Sequence, residues 1–203
     1  MALKFAVNNS LSAVTSLPTA IPTGSMTLLQ TQTASSSSTI DFTSNIDSTY
    51  DSYVFKFIDI HPSNDGAKFQ YNFSTDGGSN YNVTKTETRF FAYHNESDTS
   101  AQLAYDTTAA DQLAQSTDFG TLAHAVGNDD DGCVVGIFNL YNPSSTTFVK
   151  HFIINFQQHH SASGSYQHFK AGYGNTTSTI NAVRFKMNSG TIDSGVIKLY
   201  GIS

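Results

Sequence analysis

Along Ser52–Ile60 the rings of Tyr53, Phe55 and Phe57 fall on every second residue, with Val54, Ile58 and Ile60 partly on the opposite side. Ala67–Ser74 repeats the pattern with Phe69, Tyr71 and Phe73. A period of two is that of a pleated strand with one buried face, whereas a helix would scatter the same rings around its circumference. His61–Gly66 lies between the two stretches and reads as a turn. Ser74–Gly78 ends in two glycines that supply positive φ for a tight bend.

The same grammar extends along the chain. Met26–Thr33 and Thr39–Phe42 read as strands, and Tyr81–His94 holds one or two more, with Phe90, Phe91 and Tyr93 as core candidates. Five further strands are expected at Cys133–Tyr141, Thr146–Gln157, Tyr166–Tyr173, Thr179–Met187 and Gly195–Tyr200. Turn residues such as Asn128–Gly132, Asn142–Ser145 and Asn188–Gly190 separate them. Asn95–Asp118, rich in Ala, Gln, Asp and Thr, is expected to be a long exposed excursion, with one helical turn near Ala109–Ala114. No fixed-period repeat is present. About nine or ten short strands with almost no helix predict an all-β, antiparallel β-sandwich of jelly-roll type, a single domain over residues 26–203.

The opening segment, residues 1–25, differs. Pro18 and Pro22 forbid a regular helix and favour extended geometry. Leu11, Val14, Leu17 and Ile21 still offer apolar anchors. These features predict an extended N-terminal arm that uses Leu11, Val14, Leu17, Pro18, Ile21 and Pro22 against a neighbouring subunit, with a flexible tail as the alternative.

Charge narrows the partners. The 203 residues carry a formal net charge of −6, and only 10 are Lys or Arg, so no basic stripe exists to neutralise phosphates and nucleic acid is not expected. No stretch approaches the ~20 apolar residues that span a bilayer, and Met1–Val7 is too short for a signal-peptide core, so no membrane contact or export is expected. Cys133, the one cysteine, reads as a packed thiol in a buried strand.

Candidate chemistry is sparse. The seven histidines include adjacent His159 and His160, but neighbours on a strand face opposite ways, and no His-X-His occurs. No catalytic residue and no cofactor is expected. Asn128–Gly132 offers Asp129, Asp130 and Asp131 as hard oxygens suited to Ca²⁺, without the spacing of a helix–loop–helix calcium site. Tyr105 and these three aspartates are the candidate loop contacts for a surface glycan. Tyr50, Tyr81 and Tyr166 are further interface candidates. The carboxylate pair of a glycoside hydrolase is a weaker alternative, because most aspartates sit in turns that explain them.

Ile46–Phe57, Ile60–Gly66, Phe73–Tyr81 with its Ser-Thr-Asp-Gly-Gly turn, Gly190–Ile202 and the opening Leu11–Pro18 together resemble a group of tailed-bacteriophage virion proteins, often of marine phages. The resemblance covers the arm, the first third of the sandwich and the last strand; Asn95–Ser165 carries no matching motif. It implies a virion structural or accessory protein, with capsid decoration, fibre and baseplate roles all open. With no catalytic set in the sequence, the expected role is non-enzymatic, on the particle exterior, in capsid decoration or a tail fibre. Its partners would be copies of itself, expected as a homotrimer, and other virion proteins. A glycan-binding attachment module is the alternative.

Overall fold

A computed structural model describes residues 26–108 and 111–203. The expected arm, with Leu11, Val14, Leu17, Pro18, Ile21 and Pro22, lies outside the described residues. The rest is all-β. Its strands are β1 (Thr27–Thr33), β2 (Ile40–Phe42), β3 (Ser52–Pro62), β4 (Ala67–Ser74), β5 (Lys85–Asn95) and β6 (Ala101–Tyr105). They continue with β7 (Gly120–Val126), β8 (Val134–Tyr141), β9 (Lys150–His160), β10 (Gly164–Gly174), β11 (Ala182–Met187) and β12 (Ile192–Ile202).

All pairings are antiparallel and resolve into two layers. The long layer runs β1-β12-β3-β8-β9-β10-β5-β6. The short layer runs β7-β4-β11-β2. A single residue pair, Val126 with His160, joins β7 to β9, and a bridge between Ser37 and Ile192 ties the other side, so the sandwich nearly closes into a barrel.

Rings from both layers meet in the middle, as the alternation requires. Phe57 of β3 packs 5.0 Å from Phe185 of β11 and 5.4 Å from Phe69 of β4, both edge-on. Tyr71 of β4 meets Phe138 of β8 at 4.9 Å. Such edge-to-face pairs add to the area each ring buries. Ile60 is fully buried beside Phe57, although simple alternation would turn it outward. A register break between Phe57 and Ile60 explains this: Asp59 takes φ +50°, and Gly195 opposite takes φ +118°. A β-bulge adds one residue and so flips the face.

Several expectations are corrected. β3 runs through His61 to Pro62, so the turn begins at Ser63. Gly120–Val126 is a strand that the sequence reading missed, because its small residues give no alternation. The described residues hold no helix, and Asp111–Gln112 is a turn. Phe90 points out and is 45% exposed, while Phe91 and Tyr93 are half-buried. Cys133 is half-buried ahead of β8 rather than packed within it; burial still raises its thiol pKa, and nearby Asp59 and Asp131 add to this. The excursion after Asn95 contains β6, and its remainder is not all exposed. Residues 106–108 and 111–118 follow β5 through Asp106 N–H to Arg89 O, Glu87 N–H to Leu113 O and Lys85 N–H to Ser116 O, and they bury Asp106, Asp111 and Leu113.

Candidate functional site

The short layer ends at β7, so β10, β5 and β6 form a wing whose inner face is not fully roofed by apolar strands. Alternation places Lys85, Glu87, Arg89, Phe91 and Tyr93 of β5 on that face, beside Tyr166, His168 and Lys170 of β10. Charges this deep must be paired or hydrogen-bonded. Glu87 accepts from Tyr71 Oη at 2.5 Å, Leu113 N at 3.0 Å and Lys170 Nζ at 2.8 Å. Lys170 also donates to the Asp111 carbonyl at 3.0 Å. Lys85 donates to Asn72 Oδ1 at 2.6 Å and to the Val83 carbonyl at 2.9 Å. Burial lowers the pKa of Lys85 to about 8 and lowers that of Lys170, against the pull of Glu87. Burial and the adjacent Glu87 together hold the Tyr71 phenol well above its usual range.

Next along the wing is a cavity of about 220 Å³ lined by Lys68, Arg89, Phe91, Asp106, Thr108, Asp111, His124, Tyr166 and His168. Its floor is buried: Arg89, Asp111 and His168 are each less than 5% exposed. The Lys68 and His124 side chains, 23% and 41% exposed, form the rim. Lys68 Nζ lies 2.7 Å from Asp111 Oδ1, and Arg89 Nη1 lies 3.1 Å from Asp106 Oδ2. Burial pushes the Asp111 carboxyl up, but the Lys68 hydrogen bond and the surrounding cations outweigh it and leave the group lowered. Burial lowers His124, and it drives His168 well below the usual imidazole range, with Arg89 adding to the effect. Tyr166 stacks on His160 at 4.3 Å and on Tyr93 at 4.9 Å, forming an aromatic wall.

Of the residues expected from sequence, Asp131 does enter a cluster. His159 Nε2 lies 3.2 Å from Glu96 Oε1, and His159 Nδ1 lies 3.7 Å from Asp131 Oδ1. One ligand atom from each falls within 4.8 Å of the others, close enough to share a cation, though the carboxylates are solvent-exposed. Asp129 closes the turn through its carbonyl, which accepts from Gly132 N at 2.7 Å, and Asp130 is exposed. Tyr105 is not with them. It pairs with Phe90 at the end of the β5–β6 hairpin opposite Glu96, 58% exposed on the outer face. His151 sits at the far end of β9, opposite Tyr173, while His160 is at the near end.

The sequence reading did not join Lys68, Arg89, Asp106, Asp111, His124 and His168 into one site. One signal was available: Lys85, Glu87 and Arg89 alternate with Thr86 and Thr88 in a chain where charged residues are only 13%. Three charges on one face of a strand cannot all be incidental when the opposite face is open to water.

The outer face of the wing is its chemical opposite. Ile137, Asn155, Phe169, Phe90 and Tyr105 stand side by side across β8, β9, β10, β5 and β6. Phe90 and Phe169 stack at 4.9 Å, and Ile153, 52% exposed, lies in the next row. A depression of about 470 Å³ beside them is lined by Thr86, Thr88, Tyr141, His151, Ile153 and Tyr173 among others.

Fold and site together define an all-β antiparallel sandwich with a polar cleft on one side of its wing and an apolar sheet surface on the other. No family model matches the chain, and no curated protein or solved structure matches it. Among the described residues no helix is long and apolar enough to cross a membrane.

Proposed function

We propose that this chain is a non-enzymatic structural protein of the exterior of a tailed-phage virion, in capsid decoration or a fibre. One copy lays its residues 1–25 over the outer wing of the next. The observation that carries this reading is the row Ile137, Phe169, Phe90 and Tyr105, broken by Asn155 and continued by Ile153 and Leu103. Phe169 is half-buried, and the other rings and aliphatic side chains of the row are exposed. Large contiguous apolar patches on a folded surface mark contact sites. On this face β8, β9, β10, β5 and β6 present no carboxylate, in a chain with 16 acidic residues. Residues 5–25 contain no Asp, Glu, Lys or Arg and carry Leu11, Val14, Leu17 and Ile21, so their chemistry matches an uncharged apolar surface. Reach is ample, because 25 extended residues span roughly 80 Å and eight strands about 38 Å. The two carboxylates of the inner cavity are engaged with Lys68 and Arg89, which favours a non-catalytic role.

Removal of residues 1–25 tests the proposal by light scattering coupled to size exclusion. The intact chain should run as a trimer, and the truncated chain as a monomer with an unchanged β-type circular dichroism spectrum. Phe90→Asp in the intact chain should dissociate it likewise. A truncated chain that keeps the mass of the intact assembly would refute the arm's role.

A further inference from the structure

The cavity under the wing has a feature that its own protein groups leave incomplete. Arg89 Nη2 lies 3.0 Å from His168 Nδ1. A guanidinium only donates, so Nδ1 accepts and bears no proton, and the neutral ring carries its proton on Nε2. That N–H belongs to a side chain 2% exposed, and it has no acceptor among the described residues. Arg89 Nε is in the same position, and Arg89 Nη1 is beside Asp106 without hydrogen-bond alignment. A buried donor left without an acceptor is costly, because it has given up its hydrogen bond to water and gained none in return. Several at one cavity define an unfilled demand for acceptor oxygens.

The charges around that demand select the ligand class. Lys68 and Arg89 contribute two positive charges, Asp106 and Asp111 two negative ones, and the imidazoles of His124 and His168 are uncharged at neutral pH, so the cavity is balanced. An anion would face both carboxylates and a cation both basic groups. A neutral molecule whose hydroxyls both donate and accept meets neither penalty: it gives oxygens to His168 and Arg89 and protons to Asp106 or Asp111. Phe91 and Tyr166 line the cavity and offer apolar contact for the C–H groups of such a molecule. The volume, about 220 Å³, is below the usual range for drug-sized ligands and suits one six-membered ring.

We infer that this cavity binds a single neutral sugar residue, with His168 and Arg89 as buried donors and Lys68 and His124 at the mouth where a glycan chain would continue. The site is separate from Tyr105 and Asp129–Asp131 and does not depend on how copies assemble.

The test is ligand-observed NMR on the intact chain with glucose, galactose, mannose, fucose and N-acetylglucosamine, alongside glucuronate and glucosamine as charged counterparts. At least one neutral sugar should bind, more tightly than its charged counterpart. His168→Phe, which removes the orphan donor, should weaken binding about tenfold or more. Tyr166→Leu, which leaves the buried ion pairs in place, should weaken it as well and keeps the test open if the first variant fails to fold. Tyr105→Ser, on the opposite face, should bind as the parent does. The inference is overturned if none of the five neutral sugars binds, if a charged sugar binds best, or if both cavity variants bind normally. A crystal soaked in the panel that shows only ordered waters on His168 Nε2 would overturn it too.

Discussion

Replacing Lys170 by Met isolates what the buried ionic network contributes. The Lys170 side chain is 2% exposed, and its ammonium is shared between Glu87 Oε2 and the Asp111 carbonyl. Met fills similar space without charge, so Glu87 keeps Tyr71 and the Leu113 N–H but loses its counter-ion. Breaking a buried pair by removing one partner costs about 3–5 kcal/mol, a large part of the roughly 5–15 kcal/mol that holds a domain together. Glu87→Gln, alone, strands the cation instead. Burial already lowers the Lys170 pKa and Glu87 is what raises it, so the variant's lysine gives up its proton more readily still. A lysine whose folded pKa lies below its unfolded value penalises folding at low pH, so the cost of Glu87→Gln should shrink as pH rises from 7 to 9. The double variant removes both charges and leaves an amide oxygen for Tyr71 or Leu113, at a cost of about 1–2 kcal/mol for the hydrogen bonds lost. The double variant should therefore be more stable than Lys170→Met, with a coupling of a few kcal/mol. Urea unfolding followed by circular dichroism measures all four proteins; the chain has no Trp, so fluorescence would report tyrosine. If Lys170→Met costs less than about 1 kcal/mol, or if the two single effects simply add, the network is not the closed ionic unit its distances describe.

Two further outcomes follow from buried groups. The folded-state pKa of His168 lies below its unfolded value, so protonation favours the unfolded chain: stability should be complete above about pH 6.5 and fall below it, by at most about 1.4 kcal/mol per pH unit for this one group. Urea midpoints between pH 7 and 5 should show a shallower decline in His168→Phe, and an unchanged slope would remove His168 from the account. Gly136→Ala would press a methyl onto the Asn155 carbonyl and to 2.7 Å from Phe156 Cδ1 in the middle of the long layer, so a loss of about 1–3 kcal/mol is expected, read as a lowered thermal midpoint.

The sandwich was legible because its core strands carry large rings at every second position. Tyr53, Phe55, Phe57, Phe69, Tyr71 and Phe73 are all buried as the alternation predicts. β7 was not legible, since Gly120, Thr121, Ala123 and Ala125 carry too little side chain to show a period. The faces of β5 were misread for a different reason. Hydrophobicity marks the inner face only where the opposing layer is apolar and close. On the wing the roof is residues 106–108 and 111–118, mostly polar, so charges turn inward and Phe90 outward. The cavity was hidden because its residues come from β4, β5, β7, β10 and the 106–118 segment, and no local spacing joins them.

The reversal on β5 ties the two proposals to one physical cause. Extending the long layer past the end of the short one leaves strands with no apolar roof, and the pleat of each strand turns adjacent residues to opposite faces. Once Glu87, Arg89 and Lys170 are committed to an inner ionic network, the intervening positions Thr88, Phe90 and Phe169 must face outward whatever their polarity. A lone monomer would gain by making those outer positions charged, as soluble sheets commonly do. Stacked Phe90 and Phe169 with Tyr105 beside them keep this sheet face apolar, and the proposed assembly would cover it. The inner network also anchors the wing to the rest of the fold: Glu87 ties β5 to Tyr71 of the short layer, and Lys170 ties β10 to Asp111. Loosening that network by Lys170→Met should accordingly weaken assembly as well as folding, whereas Phe90→Asp should weaken assembly alone.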